Sequence, residues 1–144
     1  MRLEFINNKS PFYKDAVAIR TALFFDNMEN SSDLINDAFE SEAIHVVCLQ
    51  DKEVVGTGRL HFENEVSVIS QMAIKTSCQK QGVGTAILIE LIKYCKEKEL
   101  FAVKLSARET ALDFYKKFGF VATGDKYPSK KTGIIHQKMA LKIE

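Results

Sequence analysis

A short segment with two glycines carries the clearest chemical signal in this sequence. It reads Gln79-Lys80-Gln81-Gly82-Val83-Gly84-Thr85, with a strand-like run before it and a strongly apolar, helix-like run after it. Glycines one residue apart allow a tight turn, and the first N–H groups of a helix are unpaired and carry partial positive charge. The segment therefore predicts a binding site for an anion, most naturally a phosphate or pyrophosphate.

Three phosphate-binding patterns can be compared with this segment. A nucleotide P-loop requires a Lys–Ser or Lys–Thr pair after a glycine, and neither glycine here is followed by one. A dinucleotide fingerprint requires a small residue where this chain has Ile87, and it opens an early βαβ unit rather than following antiparallel strands. The third pattern, Gln/Arg-x-x-Gly-x-Gly/Ala, matches the segment from Gln79 to Gly84 throughout.

Composition limits the class of protein. The chain has 144 residues, 46% of them apolar and 27% charged, which suits one soluble domain over 1–144. Its net charge of +1 favours neither nucleic acid nor a membrane as a partner.

The three cysteines form no CxxC pair and the three histidines lack metal-ligand spacing to them, so we expect reduced thiols and no metal. With no signal-peptide core and no apolar run near the roughly 20 residues of a membrane span, a cytoplasmic location is expected.

Apolar periodicity and turn residues predict alternating strands and helices. The predicted strands are 3–6, 44–50, 53–61, 66–74, 100–106, 120–123 and 134–142, with a loop over 124–133. The predicted helices are one capped by Ser10 that runs through Leu23, one over 32–39, a long one after Gly84 and one over 110–118. Short polar turns at 51–52 and 64–65 join three strands into an antiparallel meander, and the long helix crosses over to a parallel strand.

A second motif lies downstream of the glycines. Residues 105–120, LSARETALDFYKKFGF, resemble a strand–helix–strand unit that ends in A-x-x-F/L-Y-x-K-x-G-F. With both motifs in this order, residues 44–142 resemble the GNAT superfamily of acyl-CoA-dependent N-acetyltransferases. Residues 133–139, GIIHQKM, and 106–109, SARE, are similar to the ElaA-like branch, as are His45 and 58–60. The segment 24–27, FFDN, departs from that branch, so acceptor specificity does not carry over.

The resemblance implies an α+β fold with a mixed, mostly antiparallel central sheet of six to seven strands, flanked by about four helices. It also implies acetyl-CoA (coenzyme A) as cosubstrate, with its pyrophosphate on the backbone of the glycine segment and its pantetheine arm along an exposed strand edge. The acetyl-CoA-binding residues it implies are Met72, Ala73, Ile74, Gln79, Lys80, Gln81, Gly82, Val83, Gly84, Thr85, Arg108 and Tyr115. Lys80 can instead be a solvated surface residue, and Arg108 can instead form a surface salt bridge.

Two side chains are candidates for catalysis. Tyr115 matches the family's tyrosine near the CoA sulfur, where a phenol, which is protonated at neutral pH, serves as general acid. His136 is the candidate general base because histidine titrates near neutral pH, although a structural role fits this residue slightly better. Glu109, His61 and a water relay remain open as alternatives.

The remaining polar candidates have weaker signals. A backbone N–H of Ala73 or Ile74 can stabilise the developing oxyanion. Arg59 can bind an anionic acceptor, although an exposed strand arginine is the ordinary case. No covalent acyl-enzyme is required, so Cys78 is not expected to be a nucleophile. If the last strand buries residues 135, 139 and 141, its alternation turns residues 136 and 138 to the opposite face.

The sequence thus predicts an N-acetyltransferase that moves an acetyl group from acetyl-CoA to the primary amine of a small molecule by direct attack in a ternary complex. Two other functions stay open: an acyl-CoA-binding module that senses its ligand without turnover, and an acetyltransferase that acts on a protein or peptide. Since many relatives pair, a homodimer is a further expectation. The sequence does not name the acceptor amine.

Overall fold

The computed structural model describes residues 1–26 and 28–143. Seven strands form one sheet: β1 (Arg2–Ile6), β2 (Ile44–Gln50), β3 (Glu53–Glu63), β4 (Val66–Ile74), β5 (Ala102–Arg108), β6 (Val121–Pro128) and β7 (Ile135–Lys142). Four helices flank it: α1 (Tyr13–Phe24), α2 (Ser31–Ile35), α3 (Val83–Glu97) and α4 (Leu112–Lys116). No helix in the described part of the chain is both long enough and apolar enough to cross a membrane.

The sheet has the order β1-β2-β3-β4-β5-β7-β6. Every neighbouring pair is antiparallel except β4 and β5, which run parallel because α3 carries the chain from the end of one to the start of the other. The predicted meander, the predicted parallel pair and the mixed, mostly antiparallel sheet with four helices are confirmed. Asp51 and Lys52 form the predicted turn with positive φ angles of 50° and 69°.

The first two helices differ from the sequence prediction. The Ser10 hydroxyl accepts the N–H of Phe12 at 3.2 Å, which makes a turn before the helix, and α1 begins only at Tyr13. The second helix begins one residue earlier than predicted and ends at Ile35 rather than at residue 39. It ends there because the carboxylate of Asp37 accepts the N–H of Phe39 at 3.0 Å, which builds a turn in place of further helix.

The C-terminal third also differs in two places. The predicted helix over 110–118 is a short 3₁₀ turn, Glu109–Ala111, followed by the five residues of α4. The predicted loop over 124–133 is in part strand, because β6 continues to Pro128 and pairs with β7 on both sides of an irregular stretch. In β7 Met139 is buried as expected, but Ile135 is exposed at the strand's start.

Helices cover both faces of the sheet. One face packs against α3 and α4, with Val103, Leu105 and Ala107 of β5 in that core. The opposite face packs against α1, where Ala16 joins Val47, Leu49 and Val54 in a second, smaller core. Successive β5 residues point to opposite faces, so Lys104, Ser106 and Arg108 lie on the face of the sheet that carries α1.

Two glycines of β3 allow α3 to lie close against the sheet. A Cβ on Gly56 would come within 2.8 Å of Val83 Cγ1, and one on Gly58 would come within 2.9 Å of Ile87 Cγ2. Contacts this short force atoms to move. The absence of side chains at these two positions therefore fixes the height of the first turns of α3 above the sheet.

Gly56→Ala should therefore destabilise the protein. The added methyl group meets the branched side chain of Val83, and we expect a loss of about 1–3 kcal/mol in the free energy of unfolding, measured by urea titration. Gly84→Ala is the matched control, because its Cβ would have 3.6 Å to the nearest side-chain atom, on Phe114. If both variants unfold at the same urea concentration as the wild type, the close approach of helix and strand does not limit stability.

Candidate active site

The parallel strands β4 and β5 separate along their length. Their register runs from Val66 opposite Ala102 to Ile69 opposite Leu105 and goes no further, although both strands continue for several residues. A bulge in β4 accompanies the separation: Gln71 has φ 50°, and β4 uses one residue more than β3 between consecutive pairs. The result is a wedge-shaped opening between the carboxyl ends of two parallel strands.

A pocket of about 580 Å³ occupies this opening. Met72 and Tyr115 line it on the side of α4, while Arg108, Tyr127 and His136 line it on the α1 face. The C-terminal end of α1 supplies an aromatic wall, Phe24 and the adjoining Phe25. The structure thus brings both predicted catalytic side chains, Tyr115 and His136, to the same pocket.

The glycine segment lies beside the end of β4. Gly82 has φ 85°, a left-handed conformation that disfavours any other residue, and it precedes the first turn of α3. The first helical hydrogen bond runs from Ala86 N–H to Gly82 C=O at 3.0 Å. Within the described residues, the N–H groups of 83–85 have no partner inside the helix, so they are available to an anion.

The segment has the donors and the space that a pyrophosphate requires. A Cβ built on Gly82 would have no atom within 4 Å other than those of its chain neighbours. A Cβ built on Gly84 would make only ordinary van der Waals contacts. The protein's own packing therefore does not require glycine at position 84, whereas close approach of a ligand to the backbone would. Lys80, with φ 63°, belongs to the same turn. These residues fit the pyrophosphate of coenzyme A.

The edge of β4 next to this segment exposes peptide groups. Lys75 N–H bonds to Val55 C=O at 2.8 Å and Ala73 lies opposite Thr57, so alternate peptide groups, including that of Ala73, point toward β3. The peptide of Ile74 points the other way, and its carbonyl accepts Gln79 Nε2 at 3.1 Å. Of the two residues considered for an oxyanion N–H, the register leaves Ile74 on the open side.

Tyr115 is held with its hydroxyl group toward a weak acceptor. Its oxygen lies 3.6 Å from Met72 Sδ, the one hydrogen-bond partner that the described residues offer it. Burial raises the pKa of Tyr115 to about 12. The phenol therefore keeps its proton at neutral pH and can give it to a stronger acceptor.

His136 has a defined tautomer. Its Nδ1 lies 2.8 Å from the carbonyl oxygen of Ile134, and because a carbonyl only accepts, Nδ1 must carry the proton. The lone pair then sits on Nε2, which can accept a proton. The alternative bases are placed elsewhere: Glu109 pairs with Lys126 at 2.8 Å, and His61 is buried in a stack with Phe39, outside the pocket lining.

Arg108 lies on the α1 face of the sheet, opposite the face that carries α3. Its Nη2 donates to Leu23 C=O at 3.3 Å, and its guanidinium lies 5.1 Å from the centre of the Phe24 ring. On β7, His136 is its direct cross-strand partner. Arg108 therefore lies on the same side of the pocket as His136, on the sheet face opposite the glycine segment and α3.

A buried ionic cluster lies beneath the α1 side of the pocket. Glu40 accepts both terminal nitrogens of Arg20, at 2.7 and 2.8 Å, and Nη1 of Arg59 at 3.0 Å. Asp37 accepts Arg59 through both oxygens, at 2.9 and 3.0 Å, and also accepts Lys131 Nζ at 2.8 Å. The cluster joins α1, β3, the segment before β2 and the β6–β7 connection.

The sequence interpretation missed this cluster. Arg59 was expected to be exposed by default, yet it and Arg20 are buried. One signal was available: Arg20 follows Ala16 by four residues and so falls on the apolar stripe of α1. A charged residue on a buried stripe indicates a paired charge.

Pairing keeps both carboxylates ionised. Burial by itself would raise the pKa of Glu40, but hydrogen bonds from Arg20 and Tyr13 outweigh it and lower the pKa from 4.5 to about 2. The pKa of Asp37 is likewise lowered, against the effect of burial, by its hydrogen bonds from Arg59 and Lys131. Tyr13 donates to Glu40 at 2.6 Å and does not compete for the charge, since burial and that carboxylate raise its pKa to about 12.

Comparison with known proteins identifies the family. The model of the acetyltransferase (GNAT) domain matches residues 10–143, so the chain belongs to the GNAT family of N-acetyltransferases. It is 27% identical over 126 residues to the uncharacterized N-acetyltransferase YjcF of Bacillus subtilis, covering 88% of this chain and 89% of YjcF. The resemblance found in the sequence is thereby confirmed, and the chain is an acyltransferase.

Solved structures share the fold. Escherichia coli ElaA superposes with a TM-score of 0.79 at 19% identity, over 96% of this chain and 97% of ElaA. An aminoglycoside 6'-N-acetyltransferase complexed with coenzyme A superposes with a TM-score of 0.81 at 16% identity, over 100% of this chain and 98% of that one. At these identities the similarity establishes the fold and leaves the acceptor of this chain open.

Glu40→Gln tests the ionic cluster, because it keeps the size of the side chain and removes the charge. We expect the free energy of unfolding at pH 7 to fall by about 3–5 kcal/mol, the usual cost of leaving a buried charge without its partner. The pKa of Glu40 is lower in the folded state than its ordinary 4.5, so the wild type's advantage is present above pH 4.5 and is lost as the pH falls toward 2.

Urea unfolding of both proteins at pH 7, 5 and 3 measures this difference. Glu42→Gln is the control, since Glu42 is exposed two residues away and its replacement should change stability by less than about 0.5 kcal/mol. A Glu40→Gln protein as stable as the wild type at pH 7 would mean that the cluster contributes no net stability.

Proposed function

We propose that this N-acetyltransferase uses acetyl-CoA to acetylate the primary amine of a small molecule by direct attack in a ternary complex. The observation that carries the proposal is the opening between β4 and β5, with the glycine segment at one end and a protonated phenol, Tyr115, inside it. Acetyl-CoA, when bound, supplies an activated acetyl thioester. Three free thiols support a cytoplasmic location as part of the proposal.

Binding of the cosubstrate is assigned to two backbone elements. The free N–H groups at the start of α3 hold the pyrophosphate, and Lys80 adds a charge. The open edge of β4 at Met72 and Ile74 pairs with the amide groups of the pantetheine arm, as an added strand would. Packing holds both elements in place, because α3 lies directly against β3 at Gly56.

Catalysis is assigned to three groups. The N–H of Ile74 stabilises negative charge on the carbonyl oxygen of the acetyl group. Tyr115 donates its proton to the leaving sulfur, which is a stronger acceptor than the thioether it now faces. His136 Nε2 removes a proton from the attacking amine, directly or through water. Holding donor and acceptor in one opening supplies much of the rate.

A small acceptor fits better than a protein segment. The α1 side of the pocket is bordered by the end of α1 and by the β6–β7 connection, which Lys131 ties to Leu34 C=O at 2.9 Å and to Asp37. A peptide acceptor and a binding module without turnover remain the two rival functions. The first predicts acetylation of peptides but not of free amines, and the second predicts acetyl-CoA binding without any product.

Tyr115→Phe tests the mechanism in a CoA-release assay with acetyl-CoA and a panel of primary amines. We expect wild-type protein to release CoA only when amine is present, and the variant to lose about 10²- to 10⁴-fold in kcat, the usual contribution of a general acid. The Kd for acetyl-CoA, measured by calorimetry, should change less than twofold.

Tyr94→Phe serves as the control, because Tyr94 packs against Phe5 and Phe62 away from the pocket. Unchanged turnover in Tyr115→Phe would remove Tyr115 from the mechanism. CoA binding without product from any amine would instead favour the sensing module.

Gly84→Ala tests the glycine segment separately from the fold. Its methyl group has room within the protein but lies where the backbone should approach the pyrophosphate. We expect the Kd for acetyl-CoA to rise at least tenfold while the urea midpoint stays at or above that of the wild type, since alanine favours helix over glycine. An unchanged Kd would show that the ligand does not approach position 84.

A further inference from the structure

We propose that the acceptor carries an acidic group, such as a carboxylate, in addition to its amine, and that Arg108 and Lys130 recognise this group. The inference rests on the proposed acetyl transfer to a small amine and names the class of that amine. It concerns the charge of the pocket on the α1 face, and it assigns Arg108, which the resemblance placed among the acetyl-CoA-binding residues, to the acceptor instead.

The charges around the pocket have one sign. Among the described residues that line it, four side chains are cationic, Arg59, Arg108, Lys130 and Lys131, and none is a carboxylate. An acceptor with several amines would meet repulsion there and would find no carboxylate to pair with. A pocket selects against such an acceptor by this kind of unpaired charge.

Two of the four cations are already paired with carboxylates. Arg59 and Lys131 both bind Asp37, and Arg59 also binds Glu40 and Ser70 Oγ. With their hydrogen bonds directed into the cluster, these two cations form the floor and a side of the pocket. They are not free to bind a substrate through the same contacts.

The other two cations have no carboxylate partner in the described structure. Arg108 donates one hydrogen bond, to a main-chain carbonyl, and its guanidinium lies 5.1 Å from the centre of the Phe24 ring. The side chain is thus oriented, and most of its donors are left for a bidentate contact with an acid. Lys130 is exposed at the rim of the same pocket, with no hydrogen bond or ion pair among the described residues.

The buried cluster adds to the positive potential. It contains three cations, Arg20, Arg59 and Lys131, against two carboxylates, those of Asp37 and Glu40. Burial lowers the pKa of His45, which lies 3.4 Å from Glu40, so this ring does not change the balance at neutral pH. A net positive surrounding favours the uncharged form of an amine, which is the form that attacks. The positive potential that attracts the acidic group therefore also favours the uncharged amine that attacks.

The part of the acceptor between its amine and its acidic group can be flat and apolar. Phe24, Phe25, Phe39 and Tyr127 line the walls between the cationic groups. An amine whose acidic group is separated from it by an aromatic ring or a short alkyl chain would place the acid near Arg108 and the amine near His136, the cross-strand partner of Arg108. This arrangement sets the composition of the test panel.

The test compares kcat/KM within matched amines that differ in charge at the far end. One series is 4-(aminomethyl)benzoate, its benzamide and the bis(aminomethyl)benzene, and the other is 5-aminopentanoate, its amide and 1,5-diaminopentane. We expect the carboxylate member to exceed its amide by at least tenfold in one series or both, because charge-assisted hydrogen bonds favour it. The diamine should be the poorest member of each series.

Variants then assign the preference to residues. Arg108→Gln and Lys130→Gln should each reduce the ratio of carboxylate to amide, and Arg108→Lys should restore part of it. Lys104→Gln is the matched control, since Lys104 lies on the same strand and the same face as Arg108 but outside the pocket, and the ratio should stay as in the wild type. The Kd for acetyl-CoA and the urea midpoint show whether each variant is folded and binds the donor.

The outcomes separate the two proposals. If no amine in either series or in the wider panel is acetylated, acetyl transfer to small amines itself is wrong. If amines are acetylated but the amide or the diamine is preferred, the acidic acceptor is wrong and the transfer stands. If the carboxylate is preferred equally by the wild type and by both glutamine variants, the assignment to Arg108 and Lys130 is overturned.

Discussion

The carboxylate of Glu40, shared between Arg20 and Arg59, is the contact on which the α1 side of the pocket depends. Two buried guanidinium groups approach one buried carboxylate, and each would be costly to bury alone. Since Arg20 lies on α1, Arg59 on β3 and Glu40 before β2, the pairing fixes the helix over the sheet. Through Asp37 it also reaches Lys131, which holds the β6–β7 connection against the rest of the pocket.

The cluster also touches the place where the sheet opens. Arg20 Nε donates to Gln71 Oε1 at 2.7 Å, and Gln71 is the left-handed residue of the β4 bulge. The bulge lies just beyond Ile69, the last β4 residue paired with β5. The position of α1 and the shape of the opening are therefore linked through this side-chain contact. On the opposite face, α3 is fixed independently, by its close approach to Gly56 and Gly58.

The parts of the fold that could be predicted from the sequence are those determined by local signals. The β2–β3–β4 meander and the start of α3 follow from turn residues and apolar periodicity, and their predicted positions agree with the structure within two residues. The end of α2 and the extension of β6 did not follow from periodicity, because α2 ends at a turn made by the Asp37 side chain and β6 depends on a partner strand. Asp37 turns the chain while binding Arg59, and β6 continues because β7 offers an edge.

The same distinction between local signals and tertiary contacts applies to the residues of the candidate site. The glycine segment and Tyr115 belong to continuous motifs, so their types and spacing could be read directly. The placement of His136 on the α1 face followed from strand alternation. The choice of Ile74 over Ala73 required the register with β3, and the burial of Arg59 required partners 19 and 22 residues away. Contacts of that range leave no periodic trace in a sequence.

The contact between Tyr115 and Met72 has a consequence for timing. A thioether is a poor hydrogen-bond acceptor, and the 3.6 Å separation makes the bond weaker still. In the mechanism we propose, the phenol is therefore oriented by its packing, and almost no hydrogen bonding has to be broken when it turns to a better acceptor. An acid tied to a carboxylate or a main-chain oxygen would have to give up that bond during every catalytic cycle. Here a neighbour that interacts only weakly keeps the proton available throughout.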